Sequence, residues 1–138
     1  MAALYLALGS NLGDRKANIE KALTLLDEQF GPREALSDLV ETEAIGFDGE
    51  AFIDCVARYQ SRRRPLTILR ICKEIERKMG RTDTPEWDKN GNRVYHNRII
   101  DIDILSYGNT KISTPELTIP HPQIETRHYV KPLLEQIK

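Results

Sequence analysis

The chain has 138 residues, 40% of them apolar and 30% charged, with a formal net charge of −1. That is enough chain for one domain with its own core, and it is too apolar for a disordered tail. The near-neutral total argues against wholesale attraction to nucleic acid or a membrane surface, and no stretch approaches the ~20 apolar residues of a transmembrane helix.

Residues 3–8 read as a strand, stopped by Gly9-Ser10-Asn11-Leu12-Gly13-Asp14. The run has no basic leader and is too short for a signal peptide. Asp14 is placed to cap a helix in which Ile19, Ala22, Leu23, Leu26 and Phe30 recur at helical spacing. Gly31-Pro32 ends it. Residues 36–43 give a weaker strand pattern that breaks at Gly46-Phe47-Asp48-Gly49. Residues 51–60 alternate clearly. Ile53, Cys55, Ala57 and Tyr59 share a core-like face, and Phe52, Asp54, Val56 and Arg58 share the other. That second face could serve a ligand, but from this strand alone an ordinary solvent face with one stray phenylalanine is the better reading.

Pro65 opens a second helix, whose buried stripe is Ile68, Cys72, Ile75 and Met79 and whose stop is Gly80. Cys55 and Cys72 belong to no CxxC pair or Cys/His cluster, so zinc and disulfide frameworks are not expected. Buried free thiols fit a reducing cytoplasm. From Arg58 to Arg98 there are twelve Lys/Arg against five Asp/Glu, an excess of +7. A basic middle in a neutral protein suits a small, highly charged anion such as a nucleotide triphosphate, and it also fits a solvated helix face. Residues 81–97 carry little apolar content. A connection of this length without its own structure is often a lid or binding loop.

Residues 98–106 form the next strand, with Ile100, Ile102 and Ile104 on one face and Asp101, Asp103 and Leu105 on the other. Tyr107-Gly108-Asn109-Thr110 reads as a hairpin turn. A short strand at 117–119 precedes Pro120-His121-Pro122, and a short helix is expected after Pro122. The β-α-β-β-α-β order predicts an α+β fold of ferredoxin-like type. In that fold an antiparallel sheet carries its helices on one face and leaves the other open for a ligand. Phe52, Asp54, Asp101 and Asp103 all point to that open face.

Asp101-Ile102-Asp103 is the sharpest chemical feature. Residues two apart on a strand point the same way, with Cα atoms about 6.6–7 Å apart. A hard cation between the two carboxylates relieves their repulsion. Magnesium takes one or two carboxylates together with phosphates and water. Zinc is disfavoured because no His/Cys set surrounds the pair. An exposed acidic strand face has the same pattern. For a bare Asp-x-Asp that face is the better reading; Arg98, three residues earlier on a strand entered from a basic loop, brings the metal level with it. No P-loop and no protein-kinase signature is present, so arginines, lysines and metal would have to hold phosphate. His121 sits in a rigid Pro-His-Pro setting ahead of Arg127, compatible with a fixed donor to a phosphate.

With these motifs in order, the chain resembles the 6-hydroxymethyl-7,8-dihydropterin pyrophosphokinase family of folate synthesis. The resemblance spans essentially the whole chain. It rests on Leu8-Gly9-Ser10-Asn11-Leu12-Gly13-Asp14, on the segment from Glu76 to Arg81, on Asn97-Arg98-Ile99-Ile100-Asp101-Ile102-Asp103-Ile104-Leu105, and on Ile119-Pro120-His121-Pro122 followed by Arg127. It implies a single domain over 1–138 in which ATP passes its β,γ-pyrophosphoryl group to the pterin's hydroxymethyl oxygen, leaving AMP. Two magnesium ions are implied, both touching Asp101 and Asp103. Arg81, Arg98, His121 and Arg127 resemble the family's phosphate and ATP contacts, and Glu76 and Thr118 resemble nucleotide-site residues. The pterin pocket would draw on Thr42, Ile45, Gly46 and Asp54, with Phe52 and Tyr129 as the stacking pair. The segment 81–97 matches the family's mobile catalytic loop and would order arginines and Trp87 over both substrates.

The chain also departs from the family's pattern. Phe52 stands where a tyrosine is usual, and Asp54 stands where an asparagine is usual. His96-Asn97 replaces the usual Gly-Pro before Arg98. The loop is longer, with Arg93 as its main basic candidate and Lys89 the second. The sequence stops soon after Pro132-Leu133-Leu134-Glu135, earlier than is usual. Two other classes compete. A pterin- or nucleotide-binding regulator without turnover fits the unusual loop and Asp54, but it would not need the paired aspartates and Arg98. An RNA-binding ferredoxin-like module would need an aromatic RNP-type strand motif, which is missing.

Overall fold

The computed structural model describes residues 1–43, 50–81, 86–87, 89–91, 93–94 and 98–138. Strand β1 (Ala2–Ser10) is longer than its apolar run and lies at the centre of the sheet. Helix α1 (Arg15–Phe30) is capped by Asp14, whose carboxylate accepts the Ala17 N–H at 3.1 Å. The helix ends at Gly31, whose φ of 88° suits a residue without Cβ.

The weak strand pattern at 36–43 resolves into two short strands, β2 (Ala35–Leu36) and β3 (Val40–Thr42). Both pair antiparallel with β4 (Phe52–Ser61). Ser37 explains the break. Its N–H donates to the Val56 carbonyl at 2.9 Å, while its hydroxyl accepts the Val56 N–H at 2.8 Å. A side-chain oxygen has replaced the carbonyl of a regular ladder.

Helix α2 (Pro65–Lys78) begins with Pro65 in its first turn, where the missing N–H costs nothing. Between it and the next sheet strand the chain is not structureless. Strands β5 (Glu86–Trp87) and β6 (Arg93–Val94) pair as a small antiparallel ribbon. Strand β7 (Asp101–Tyr107) starts three residues later than its periodicity suggests. The Arg98 carbonyl and N–H are engaged by Asn11 instead of a neighbouring strand. The turn at 107–110 closes through the Thr110 N–H to the Tyr107 carbonyl at 2.9 Å, but it does not make a hairpin with β7. Strand β8 (Ile112–Ser113) pairs with β9 (Thr118–Ile119). A 3-10 helix (Pro122–Ile124) follows the cis Ile119-Pro120 bond, and helix α3 (Val130–Ile137) ends the chain.

The main sheet is antiparallel, in the order β2-β4-β1-β7, with β3 also on β4. Leu4, Leu6 and Leu8 of β1, Cys55, Ala57 and Tyr59 of β4, and Ile102 and Ile104 of β7 pack against α1 and α2. The other face is not wholly open, which corrects the expectation of helices on one face alone. Val130, Leu133, Leu134 and Ile137 of α3 bury a second apolar cluster with Val56 and Leu105. An isolated helix of this length is marginal in water. Burial of roughly 1.5–3 kcal/mol per large aliphatic side chain is what holds it. Among the described residues no helix is long and apolar enough to cross a membrane.

Candidate active site

One register row crosses the sheet on the α3 side. Val40 pairs with Asp54, Asp54 with Gly9, and Gly9 with Asp101. The next row carries Val56, Ala7 and Asp103. Paired residues in adjacent strands point to the same face. The acids therefore stand on one face, with only Gly9 and Ala7 between them on the central strand. Gly9 is required by close approach: a Cβ there would lie 2.7 Å from Asp54 Oδ1 and 3.4 Å from Phe52 Cδ1.

Asp54 is buried and accepts a short hydrogen bond from the Thr42 hydroxyl. Burial pushes its carboxyl up to about 6, against the pull of Thr42 and of the Arg127 charge, with Asp101 adding a smaller push upward. Thr42 and Phe52 are register partners, so Thr42, Phe52 and Asp54 share this face. Tyr129 stands at the start of α3, its hydroxyl 3.2 Å from Arg127 Nη1. Its phenol is raised first by burial and then by the charge of Asp54. Arg127 thus acts electrostatically on Asp54, Asp103, His121 and Tyr129 together.

Beneath β7 lies an ionic knot. Arg81 Nη1 is 2.7 Å from Glu76 Oε2 and 2.8 Å from Asp101 Oδ1. Glu76 is only 2% exposed. Its Oε2 also accepts the Ile102 N–H at 2.8 Å, and Lys73 Nζ lies 3.4 Å from its Oε1. Buried charge needs this degree of pairing. Glu76 anchors β7 from below, and Arg81 joins that anchor to the acid face.

Asp103 lines a cleft of about 230 Å³ together with Lys73, Thr118, His121, Ile102 and Pro122. His121 is fixed from two sides. Its N–H donates to the Leu105 carbonyl at 2.8 Å, and its Nδ1 accepts the Gln123 N–H at 3.1 Å. Burial, with the nearby Arg127 charge, lowers its pKa, so the ring is neutral near pH 7. With Nδ1 accepting, the proton sits on Nε2.

The donor set fits magnesium. Burial and the neighbouring Asp101 charge push the Asp103 carboxyl well above the usual carboxylate range, so the pair calls for a proton or a cation. Among the described residues no group of three or more His, Cys, Asp or Glu could hold a metal alone. Two carboxylates completed by substrate phosphates and water is the usual magnesium arrangement.

Of the expected site residues, Thr42, Phe52, Asp54, Asp101, Asp103, Arg127 and Tyr129 converge on the acid face. Thr118 and His121 meet Asp103 in the cleft. Glu76 and Arg81 lie in the knot, and Arg98 sits at the approach to β7, its backbone held by Asn11. Ile45, Gly46, His96 and Asn97 lie outside the described residues, as do the side chains of Trp87 and Arg93. Sequence reasoning missed Lys73, though its i,i+3 spacing to Glu76 on a helix was a signal. It also missed the close approach at Gly9.

The family model described as 7,8-dihydro-6-hydroxymethylpterin-pyrophosphokinase matches residues 5–138. A protein of Porphyromonas gingivalis named 2-amino-4-hydroxy-6-hydroxymethyldihydropteridine pyrophosphokinase is 42% identical over 139 residues, covering 99% of this chain and 91% of that protein. One of the same name from Aquifex aeolicus is 39% identical, over 98% of this chain and 80% of its own length. A folate synthesis bifunctional protein of Arabidopsis thaliana is 37% identical over 92% of this chain and 25% of its own length. The chain belongs to the 7,8-dihydro-6-hydroxymethylpterin-pyrophosphokinase family.

Proposed function

We propose that this chain transfers the β,γ-pyrophosphoryl group of ATP to the hydroxymethyl oxygen of 6-hydroxymethyl-7,8-dihydropterin. A bond forms between that oxygen and the β-phosphorus. The bond from the β-phosphorus to the oxygen it shares with the α-phosphate breaks. AMP leaves with that oxygen, and the hydroxyl proton passes to solvent. The observation that carries this reading is the register row that places Asp54 and Asp101 on either side of Gly9. A flat bicyclic ring laid over Gly9 spans from a hydrogen-bond acceptor to a phosphate-handling centre.

Such transfers depend on positioning and charge neutralisation more than on covalent chemistry. Asp101 and Asp103 are the residues that would hold two magnesium ions; bound there, the ions neutralise phosphate charge and lower the pKa of the attacking hydroxyl. His121 offers Nε2–H to a phosphate oxygen. Arg81, Arg98 and Arg127 supply fixed positive charge, and Glu76 and Thr118 belong to the nucleotide side. Thr42, Ile45, Gly46, Phe52, Asp54 and Tyr129 form the pterin side. Asp54 accepts from the ring N–H and amino groups, and Phe52 and Tyr129 take the two ring faces.

The whole chain, 1–138, works as one domain on these two substrates, in the cytoplasm, with neither nucleic acid nor membrane as partner. The catalytic-loop role expected of segment 81–97 falls largely on residues outside those described. The sheet is read as ferredoxin-like, supported by β7-β1-β4 order with β2 and β3 outside β4 and by α1 and α2 on one face. Purified chain mixed with MgATP and the pterin releases AMP in step with pterin diphosphate. Folded protein that releases none contradicts the reading.

A further inference from the structure

We propose that Asn11 is a positioning residue that couples the pterin side of the site to its phosphate side. The proposal rests on the pyrophosphokinase reading and adds to it a residue that touches neither substrate. Asn11 follows directly on β1 and is fully buried, with 0% exposure. Its Oδ1 accepts the Arg98 N–H at 2.5 Å, and its own N–H donates to the Arg98 carbonyl at 3.0 Å. Its Nδ2 donates to the Glu50 carbonyl at 3.0 Å.

Those partners lead to the two halves of the reaction. Glu50 is two residues before Phe52, where β4 begins and carries on to Asp54. Arg98 is three residues before Asp101, where β7 begins. The segments are 39 and 87 residues from Asn11 in sequence, and one primary amide meets both. A primary amide carries its donor and its acceptor on two separate atoms, so one side chain can serve both segments at once, which a carboxylate of the same shape cannot. The loop behind it is fixed. Asn18 Nδ2 donates to the Leu12 carbonyl at 2.8 Å and to Ser10 Oγ at 3.2 Å, and Asp14 caps α1. Arg15 Nη1 donates to the Ala51 carbonyl at 2.8 Å, a second tether on the pterin side alone.

Misplacing reacting groups by about 1 Å is enough to lower turnover by ~10²-fold. Asn11→Ala is therefore expected to raise KM for the pterin and to lower kcat together, each by about tenfold or more. KM for ATP, set at the cleft of Lys73, Thr118 and His121, changes much less. A merely structural role would reduce the fraction of active molecules and leave both KM values unchanged. Asn11→Asp keeps the acceptor for the Arg98 N–H, so kcat recovers toward wild type while the pterin KM stays high; this variant carries the test if Asn11→Ala does not fold. Arg15→Ala raises the pterin KM without an equal fall in kcat.

Amide hydrogen exchange in the ligand-free protein gives a readout independent of turnover. The Arg98 amide exchanges faster in Asn11→Ala than in wild type. If the wild-type chain makes no AMP, the pyrophosphokinase reading fails by itself, and exchange at Arg98 with equilibrium pterin binding still decides the role of Asn11. Folded Asn11→Ala with unchanged Arg98 exchange, or with kcat and pterin KM within twofold of wild type, overturns the proposal.

Discussion

Asp54 and Asp101 face the same side of the sheet from either side of Gly9, in one register row. Two strand spacings put their Cα atoms roughly 10 Å apart. The gap stays open because the residue between them has no side chain. Gly9→Ala is expected to displace the Asp54 carboxylate, since the new Cβ would sit 2.7 Å from its Oδ1. Pterin affinity should fall about tenfold or more, equivalent to about 1.4 kcal/mol, with nucleotide affinity nearly unchanged. Fluorescence titration with each ligand separately checks this. An equal loss for both ligands would mean that the sheet itself had been disturbed.

Asp54 makes a prediction about pH. Its folded carboxyl is raised from 3.8 to about 6, chiefly by burial, with Thr42 and Arg127 opposing and Asp101 assisting. Between these two values the folded chain holds a proton that the unfolded chain has released. The stability tied to this group is thus fully present below about pH 4 and is lost as pH rises to about 6. A shift of about two units corresponds to about 3 kcal/mol at most. Asp54→Asn should therefore unfold at higher temperature than wild type at pH 7.5, and the advantage should vanish near pH 4. The carboxylate is also the better acceptor for pterin N–H groups. Wild-type pterin affinity should rise through pH 6, and that of Asp54→Asn should stay flat. Parallel profiles for the two proteins would remove Asp54 from the pterin pocket.

Arg81 is expected to matter for stability as well as for turnover, because it bridges buried Glu76 and Asp101. Removing one partner of a buried ion pair typically costs about 3–5 kcal/mol. Lys73 and the Ile102 N–H still serve Glu76, so Arg81→Ala should fall at the low end, about 3 kcal/mol. Denaturant unfolding measures it. Unchanged stability with lost activity would make Arg81 a ligand contact alone.

Asp101→Ala and Asp103→Ala should each lower turnover by at least about a hundredfold, the scale on which groups that stabilise transition-state charge act. Circular dichroism should show an intact fold, because each side chain faces away from the larger apolar core. Near-normal rates in either variant would sink the metal assignment.

The strands that carry the acids were legible because alternation is local. Ile102 and Ile104 had to face α1 and α2, so Asp101 and Asp103 had to face away. Helix α3 was harder to read, although Val130, Leu133, Leu134 and Ile137 follow helical spacing. Pro132 punctuates that pattern, yet it falls in the first turn, where its missing N–H is tolerated. Ser37 split one expected strand in two by using a hydroxyl as an acceptor, a substitution that alternation does not reveal. The late start of β7 was invisible for a different reason. It depends on Asn11, 87 residues away, taking the Arg98 N–H before any strand can. Contacts that close the site over long sequence separations are set by topology, and periodicity carries no record of them.

The most direct test of the central claim is phosphorus NMR of wild-type protein with MgATP and 6-hydroxymethyl-7,8-dihydropterin. The account predicts that the ATP β-phosphorus resonance is replaced by that of a pterin diphosphate ester while AMP appears in equal amount. Formation of ADP, or of AMP and free diphosphate without the pterin ester, would contradict it.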